Sequence, residues 1–162
     1  MITQNELKEL LEYNVDTGIF TWKINKSPMR SGNIAGSVAK DRYTNIQINK
    51  KIYKAHRLAW LYVYGSFPNK CIDHINGNRS DNKISNLREA NHSQNGMNKK
   101  MQSNNTSGVR GVYWNRNVKK WHAEVRLKGK RIYLGLFDSL ELAELVVSET
   151  RLKYHGQFAY EA

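Results

Sequence analysis

Cysteine, proline and acidic side chains are scarce in this chain, and long apolar runs are missing. A single cysteine among 162 residues, Cys71, has no partner in the chain, so no internal disulfide staples the fold. Two prolines leave few fixed breaks, and neither an internal repeat nor a low-complexity tract interrupts the sequence. No stretch approaches the roughly 18 consecutive apolar residues that a helical membrane span needs, so no membrane association is expected. The start, Met1-Ile-Thr-Gln-Asn-Glu6, shows neither the basic opening nor the apolar stretch of a secretory signal, which makes the cytoplasm the expected location.

What is present is positive charge. Lys and Arg number 26 against 14 Asp and Glu, a net charge of +12, and 40% hydrophobic residues are enough for a packed core. Basic charge together with 4 Trp and 9 Tyr points to a polyanion, of which nucleic acid is the commonest in a cell. Ribosomal proteins, membrane-surface proteins and nucleases all share that balance, so charge alone does not choose among them. The excess is evenly spread: residues 1–98 hold 14 basic and 8 acidic residues and residues 99–162 hold 12 and 6, so each part nets +6. The polar stretch between them, 99–107, lacks apolar periodicity and reads as a linker that includes Lys99 and Lys100.

In the first part, Thr3 and Glu6 have capping-box spacing ahead of Leu7, Leu10 and Leu11, which predicts a helix ending near Asn14. Residues 19–24 and 43–48 read as strands, and Asn49-Lys50 turns the second into a hairpin with residues 51–53. A helix is expected over 56–64, closed by Gly65 and Pro68, with His56 at its start as a structural or phosphate-contacting residue.

Residues 71–95 then crowd a carboxylate, an imidazole and many amides into a short span. Phosphodiester cleavage needs a hard cation held by oxygen ligands and a neutral imidazole to take a proton from water. Asp73 and His74 supply both types side by side. Neighbours on a strand point to opposite faces, so the pair is useful only at a strand end, where Asn76-Gly77 provides the turn. A helix-loop-helix calcium site wants ligands at alternate positions and a closing Glu, a register that fails here. A zinc site from Cys71, His74 and His92 would have a single thiolate and no second cysteine pair. A solvated Asn-rich loop without chemistry is the remaining bland alternative.

Three motifs, Asp73-His-Ile-Asn-Gly-Asn, Ser80-Asp-Asn-Lys-Ile-Ser-Asn-Leu-Arg88 and Asn91-His-Ser-Gln-Asn95, resemble the HNH nucleases, in particular the phage and intron-encoded homing branch. Ala55-His-Arg-Leu-Ala-Trp60 and the opening elements extend the resemblance over residues 1–98. It implies an HNH (ββα-metal) nuclease domain in which Asp73 and Asn95 bind one divalent metal, His74 is the general base and Asn86 holds the loop that orients His74. Many relatives carry His at the third position, and Asn95 there favours magnesium or manganese over zinc. His92 is the alternative third residue, while Arg79 and Asn82 would be loop or phosphate contacts.

From Gly108 the pattern changes. Trp121, Ala123, Val125 and Leu127 alternate with His122, Glu124 and Arg126, and after a turn at residues 128–130, Ile132 and Leu134 alternate with Arg131 and Tyr133. Val109 to Trp114 forms a first strand. Asp138 and Glu141 cap a helix whose Ala143, Val147, Thr150 and Tyr154 form a covering stripe. Ser107-Gly-Val-Arg-Gly-Val-Tyr-Trp114, residues 121–126 and residues 131–138 resemble the AP2 DNA-binding domain, which lays a three-stranded sheet in the major groove. That resemblance places DNA contacts on Arg110, Tyr113, Trp121, Glu124, Arg126, Arg131 and Tyr133.

The expectation is therefore an α+β chain in three parts: a nuclease domain (1–98), a linker (99–107) and an AP2-like domain (108–162). It would act as a monomeric, phage-type, Mg2+- or Mn2+-dependent endonuclease on double-stranded DNA, in the host cytoplasm. A non-catalytic DNA-binding regulator on an HNH scaffold is the rival, with RNA binding third.

Overall fold

The computed structural model describes residues 1–97, 104–127 and 129–158, so the linker lysines Lys99 and Lys100 and the turn residue Lys128 lie outside the described residues. The chain divides into two compact units, Met1–Asn91 and His92–Ala162, each with its own core.

The first unit begins with helix α1 (Gln4–Leu10). Its capping box is complete, because Thr3 Oγ1 accepts from the Glu6 amide at 3.3 Å and the Glu6 carboxylate accepts from the Thr3 amide at 2.8 Å. The helix stops four residues before the expected Asn14. Leu11–Asn14 is strand β1, antiparallel to β2 (Ile19–Trp22), because Leu11 and Tyr13 are buried and Glu12 and Asn14 exposed, a period of two that a helix cannot use. A three-stranded antiparallel sheet follows from β3 (Ser37–Val38), β4 (Thr44–Ile48) and β5 (Lys51–Lys54). Asn49 and Lys50 join the last two at φ 47° and 64°, the two positive angles of a tight hairpin turn. Helix α2 (Ala55–Tyr64) starts at once and ends on Gly65 in the left-handed region.

The last pair of the unit is β6 (Cys71–His74) with β7 (Leu87–Ala90), antiparallel in the register Asp73 opposite Arg88 and His74 opposite Leu87. Ile72 and Leu87 join Leu7, Leu11, Phe20, Ile46 and Leu58 in one core, so the strand pair is rooted where the unit is most tightly packed. The loop between β6 and β7 is braced from the β1–β2 hairpin: the Tyr13 hydroxyl donates to the Asn82 carbonyl at 2.7 Å, and Gly18 packs directly on the Asn82–Lys83 backbone.

The second unit holds a short helix α3 (His92–Met97), an antiparallel sheet in the order β10-β9-β8 (β8 Val112–Asn115, β9 Lys120–Leu127, β10 Lys130–Phe137) and helix α4 (Leu140–His155). Val112, Ala123, Val125, Ala143 and Val147 form its core, so the sheet buries one face against α4. Several details differ from expectation. Residues 92–97 group with this unit and not with the nuclease part, because the Arg110 Nη1 donates to the Met97 carbonyl at 2.8 Å and so ties α3 to the approach to β8. Ser139 is the α4 cap, its hydroxyl accepting from the Leu142 amide, while Asp138 pairs with Lys120 at 3.1 Å. Ile132 is 39% exposed, since β10 is an edge strand, and Tyr154 is exposed where the last turn of α4 carries the stripe past the buried pair.

Gly18 has φ +73°, and a Cβ there would run into the Asn82–Lys83 backbone, which has no flexible end to give way. Gly18→Ala should therefore lower unfolding free energy by about 2 kcal/mol or more, the left-handed cost plus the displaced loop, read by urea denaturation of the full chain.

Candidate functional site

Asp73 and His74 end strand β6, and both are buried at 4% exposure. Leaving them there requires the chain beyond them to turn away, which it does at Gly77 with φ +66° and an amide that donates to the His74 carbonyl at 2.8 Å. The loop that follows is closed by amides. Asn86 Oδ1 accepts from the Asn76 backbone N–H at 3.0 Å, and Asn86 Nδ2 donates to Asn76 Oδ1 at 3.1 Å and to the Asp81 carbonyl at 2.8 Å. One side chain, carried on the 3-10 turn Ile84–Asn86, thus bonds to both ends of the loop. An amide suits the task because it donates and accepts at once.

His74 faces Asn82, which is buried at 3%, across 3.4 Å from Nε2 to Oδ1. Asn82 Nδ2 is used on the Ser80 carbonyl at 3.1 Å, so the oxygen is what Asn82 presents to the ring. That oxygen only accepts, so in this contact the ring donates through Nε2. Burial pushes the His74 pKa below the ordinary histidine value, outweighing the hydrogen bond to Asn82 and the nearby Asp73 charge. The imidazole is therefore neutral at neutral pH and able to take a proton.

Asp73 is held differently. Its Oδ2 accepts from Arg88 Nε at 2.9 Å and from Nη2 at 2.8 Å, a buried cross-strand ion pair. The donors expected around a cation, the Asp73 carboxylate and the Asn95 amide oxygen, are hard and suit magnesium or manganese in chemical type. Asp73 would share its carboxylate between that cation and Arg88. Asn95 is half-buried on α3, in the second unit, and His92 is exposed on the same helix. Among the described residues no group of three or more His, Cys, Asp and Glu side chains is arranged to hold a metal.

The sequence undervalued His56. It is 8% exposed at the start of α2, with its ring edge-on to His74 at 5.2 Å between centroids and 5.1 Å from Tyr43. Burial first, and then the neighbouring His74, push its pKa down to about 3. Tyr43 lies 5.9 Å from His74 and carries the Arg79 guanidinium over its ring at 5.0 Å, so a fixed cation stands beside the imidazole pair. The HNH resemblance had already picked out the stretch around His56 and named Arg79, but residues 43, 56, 74 and 79 meet only through the fold.

In the second unit, Tyr113, His122 and Tyr133 form a ladder of rings across three strands on the exposed sheet face, with centroids 4.4 and 4.8 Å apart. Arg131 lies on the same face, 3.7 Å from the Glu124 carboxylate. His122, at the centre of the ladder, was absent from the expected contacts, although its alternation parity with Glu124 and Arg126 was the signal. Trp121 is on the opposite parity and packs against the core, edge to face with Trp114 at 5.1 Å. Arg110 precedes β8 and is anchored on the Met97 carbonyl, apart from the ladder.

Residues 53–97 match the sequence model of the HNH endonuclease family, a span that holds His56, the β6–β7 pair and α3. Protein 3.8 of Escherichia phage T7 is 37% identical over 116 residues, covering 68% of this chain and 93% of that protein. A solved structure titled for DNA binding and cleavage by the HNH homing endonuclease I-HmuI aligns over 53% of this chain at 22% identity, with a TM-score of 0.40. The chain spans about half, 49%, of that structure's length. With 93% of the phage protein covered at 37% identity and residues 53–97 matching the HNH model, the chain belongs to the family of phage T7 Protein 3.8 and carries an HNH endonuclease domain.

Proposed function

We propose that this chain is a metal-dependent DNA endonuclease of homing type whose first part cuts and whose second part holds the duplex. The observation that carries the reading is His74: a buried, neutral imidazole at a strand end, its Nε2 facing Asn82 and its loop clamped by Asn86. His74 would take the proton from the attacking water as the water oxygen bonds to phosphorus and the phosphorus–oxygen bond to the leaving group breaks. Asp73 and Asn95, or His92 in place of Asn95, would hold one Mg2+ or Mn2+. When bound, that cation supplies charge to stabilise the phosphate as negative charge develops. Arg79 adds a fixed positive group beside the ring pair.

The sheet supplies recognition on this reading, as an AP2-like domain would. Tyr113, His122, Glu124, Arg131 and Tyr133 share one exposed face with polar ring edges and charge, the donor and acceptor types that read base edges in a major groove. A second reading, a DNA-binding protein that does not cut, draws on one observation: Asp73 Oδ2 is taken by both donors of Arg88, as a structural carboxylate would be.

Plasmid nicking with and without magnesium separates the two readings, since only the endonuclease relaxes supercoiled DNA. His74→Ala should then lose about 100-fold to 10,000-fold in cleavage rate with DNA affinity nearly unchanged, because a general base acts in the transition state. Equal rates for parent and variant would remove His74 from the chemistry.

Arg131→Ala should cost roughly 1 to 3 kcal/mol at particular base pairs and little at others, measured by competition among duplexes with single substitutions.

Stability should also depend on pH through His56. Unfolded, this imidazole takes a proton near its ordinary value of 6.5, and folded it resists down to about 3. The unfolded state thus binds more protons as pH falls below 6.5, and the fold weakens from there downward. Between pH 7 and 5 the loss from this group is about 2 kcal/mol. His56→Gln should abolish that share of the slope in urea denaturation across the same range.

A further inference from the structure

In the first unit, the turn between β3 and β4 is closed by its own backbone. The Ala39 amide donates to the Tyr43 carbonyl at 2.9 Å and the Arg42 amide to the Ala39 carbonyl at 2.8 Å, with Arg42 in the left-handed region at φ 65°. Asp41, at the tip, fastens three further groups. Its Oδ2 pairs with Lys54 Nζ at 2.6 Å, its Oδ1 accepts from the Tyr43 amide at 3.2 Å, and its carbonyl accepts from Arg79 Nη1 at 3.2 Å. Lys54 ends β5 and Arg79 lies in the loop between β6 and β7, so this turn gathers side chains from two other parts of the unit.

Tyr43 stands at the centre of that assembly. Its half-buried ring lies 5.9 Å from the His74 ring and 5.1 Å from the His56 ring, with the Arg79 guanidinium 5.0 Å and the Lys54 ammonium 4.9 Å from its centroid. Cations at that range are attracted by the negative faces of an aromatic ring. The Tyr43 hydroxyl makes no hydrogen bond to the described residues, so the ring itself makes these contacts. The two cations differ in charge balance. Asp41 answers Lys54, whereas Arg79 has no carboxylate at salt-bridge distance among the described residues. The exposed guanidinium therefore keeps its charge and its remaining donors for an anion. One ring thus touches both the imidazole expected to take a proton and an arginine whose charge is unanswered.

We propose that Tyr43 is a positioning residue of the nuclease site: its ring sets Arg79 and His74 relative to each other, so that the guanidinium meets the scissile phosphate while the imidazole takes the proton from water. The proposal rests on the endonuclease reading above and gives a role to a residue that lies outside the matched span 53–97. A guanidinium bonds two phosphate oxygens in parallel only in a limited range of orientations. An arginine that swings freely loses that alignment before it loses its attraction for DNA, which long-range charge supplies. Removal of the ring should accordingly lower kcat and leave KM nearly alone. Because the ring acts through Arg79, the two residues should behave as one unit in a double-variant cycle.

The test uses the full chain, with kcat and KM from plasmid nicking in magnesium, DNA affinity in calcium, and rates referred to the folded fraction found by urea denaturation. Tyr43→Leu should lower kcat about 10-fold to 100-fold, the scale of a small misplacement of a reacting group, with KM and affinity nearly unchanged. Tyr43→Phe, which keeps the ring, should recover most of that loss. Arg79→Gln should lower kcat as well, and the double variant Tyr43→Leu/Arg79→Gln should lose little more than the slower single one, whereas independent effects would multiply. Arg79→Lys, at an exposed position away from the core, keeps the charge without the planar fork and should still cut slowly, so the test stands even if Tyr43→Leu does not fold. Parent rates in Tyr43→Leu or in Arg79→Lys, a Tyr43→Phe chain as slow as Tyr43→Leu, a loss carried by KM and affinity, or effects that multiply would each overturn the assignment alone. A parent chain that does not cut defeats the endonuclease reading itself, and the role of Tyr43 falls with it.

Discussion

Burying an imidazole and a carboxylate side by side at the end of one strand is the constraint on which the first unit depends. Neither group can sit in a low-dielectric interior unless its neighbours satisfy it, and the costs differ in kind. Arg88 answers the charge of Asp73 from the opposing strand, with two donors on one oxygen. His74 escapes the cost by staying neutral, which is also the state a proton acceptor requires. The loop 75–86 then has to close without placing unpaired backbone against these groups, and Asn76, Asn82 and Asn86 do so with amides that donate and accept together. Aspartate at position 86 would lack the donor, and glutamine, one methylene longer, would carry its amide past these partners.

Support for that arrangement comes from distant parts of the chain. The hydroxyl of Tyr13 and the bare backbone at Gly18 hold the loop from the β1–β2 hairpin, and His56 and Tyr43 pack on the ring of His74 from α2 and the approach to β4. The unit is thus one core that includes the strand end, with α2 contributing Ala55, Leu58, Ala59 and Leu61 beside residues of α1, β1, β2, β4, β6 and β7. The second unit solves a simpler problem. Its sheet buries one face under α4 and leaves the other for rings and charges. Both units carry net positive charge, the sign that draws a polyanion.

Much was legible in advance because it is local. The capping box of Thr3 and Glu6, the Asn49-Lys50 turn, α2 closing on Gly65 and the alternation of β9 all follow from spacing of a few residues, and all are present. The errors are local too, and each has a tertiary cause. Leu11 continues a helical stripe by spacing, yet pairing with Trp22 draws it into a strand. Ile132 alternates inward, yet it sits on an edge strand and stays partly exposed, while Leu134 and Phe137 of the same strand pack against the core. Trp121, which the AP2 resemblance places among DNA contacts, is half-buried and packs against the core from the face opposite the ring ladder.

The sequence by itself determined the positive charge, the elements set by short-range spacing and the string of carboxylate, imidazole and amide residues in the HNH segment, because composition and periodicity are properties of the chain. Only the tertiary structure decided which of those residues meet. It set His56 against His74 from 18 positions earlier and paired Asp73 with Arg88 across a ladder. The reason is physical: charge neutralisation and desolvation act through space between groups the chain brings together, and no spacing along the sequence encodes the environment in which a proton is held.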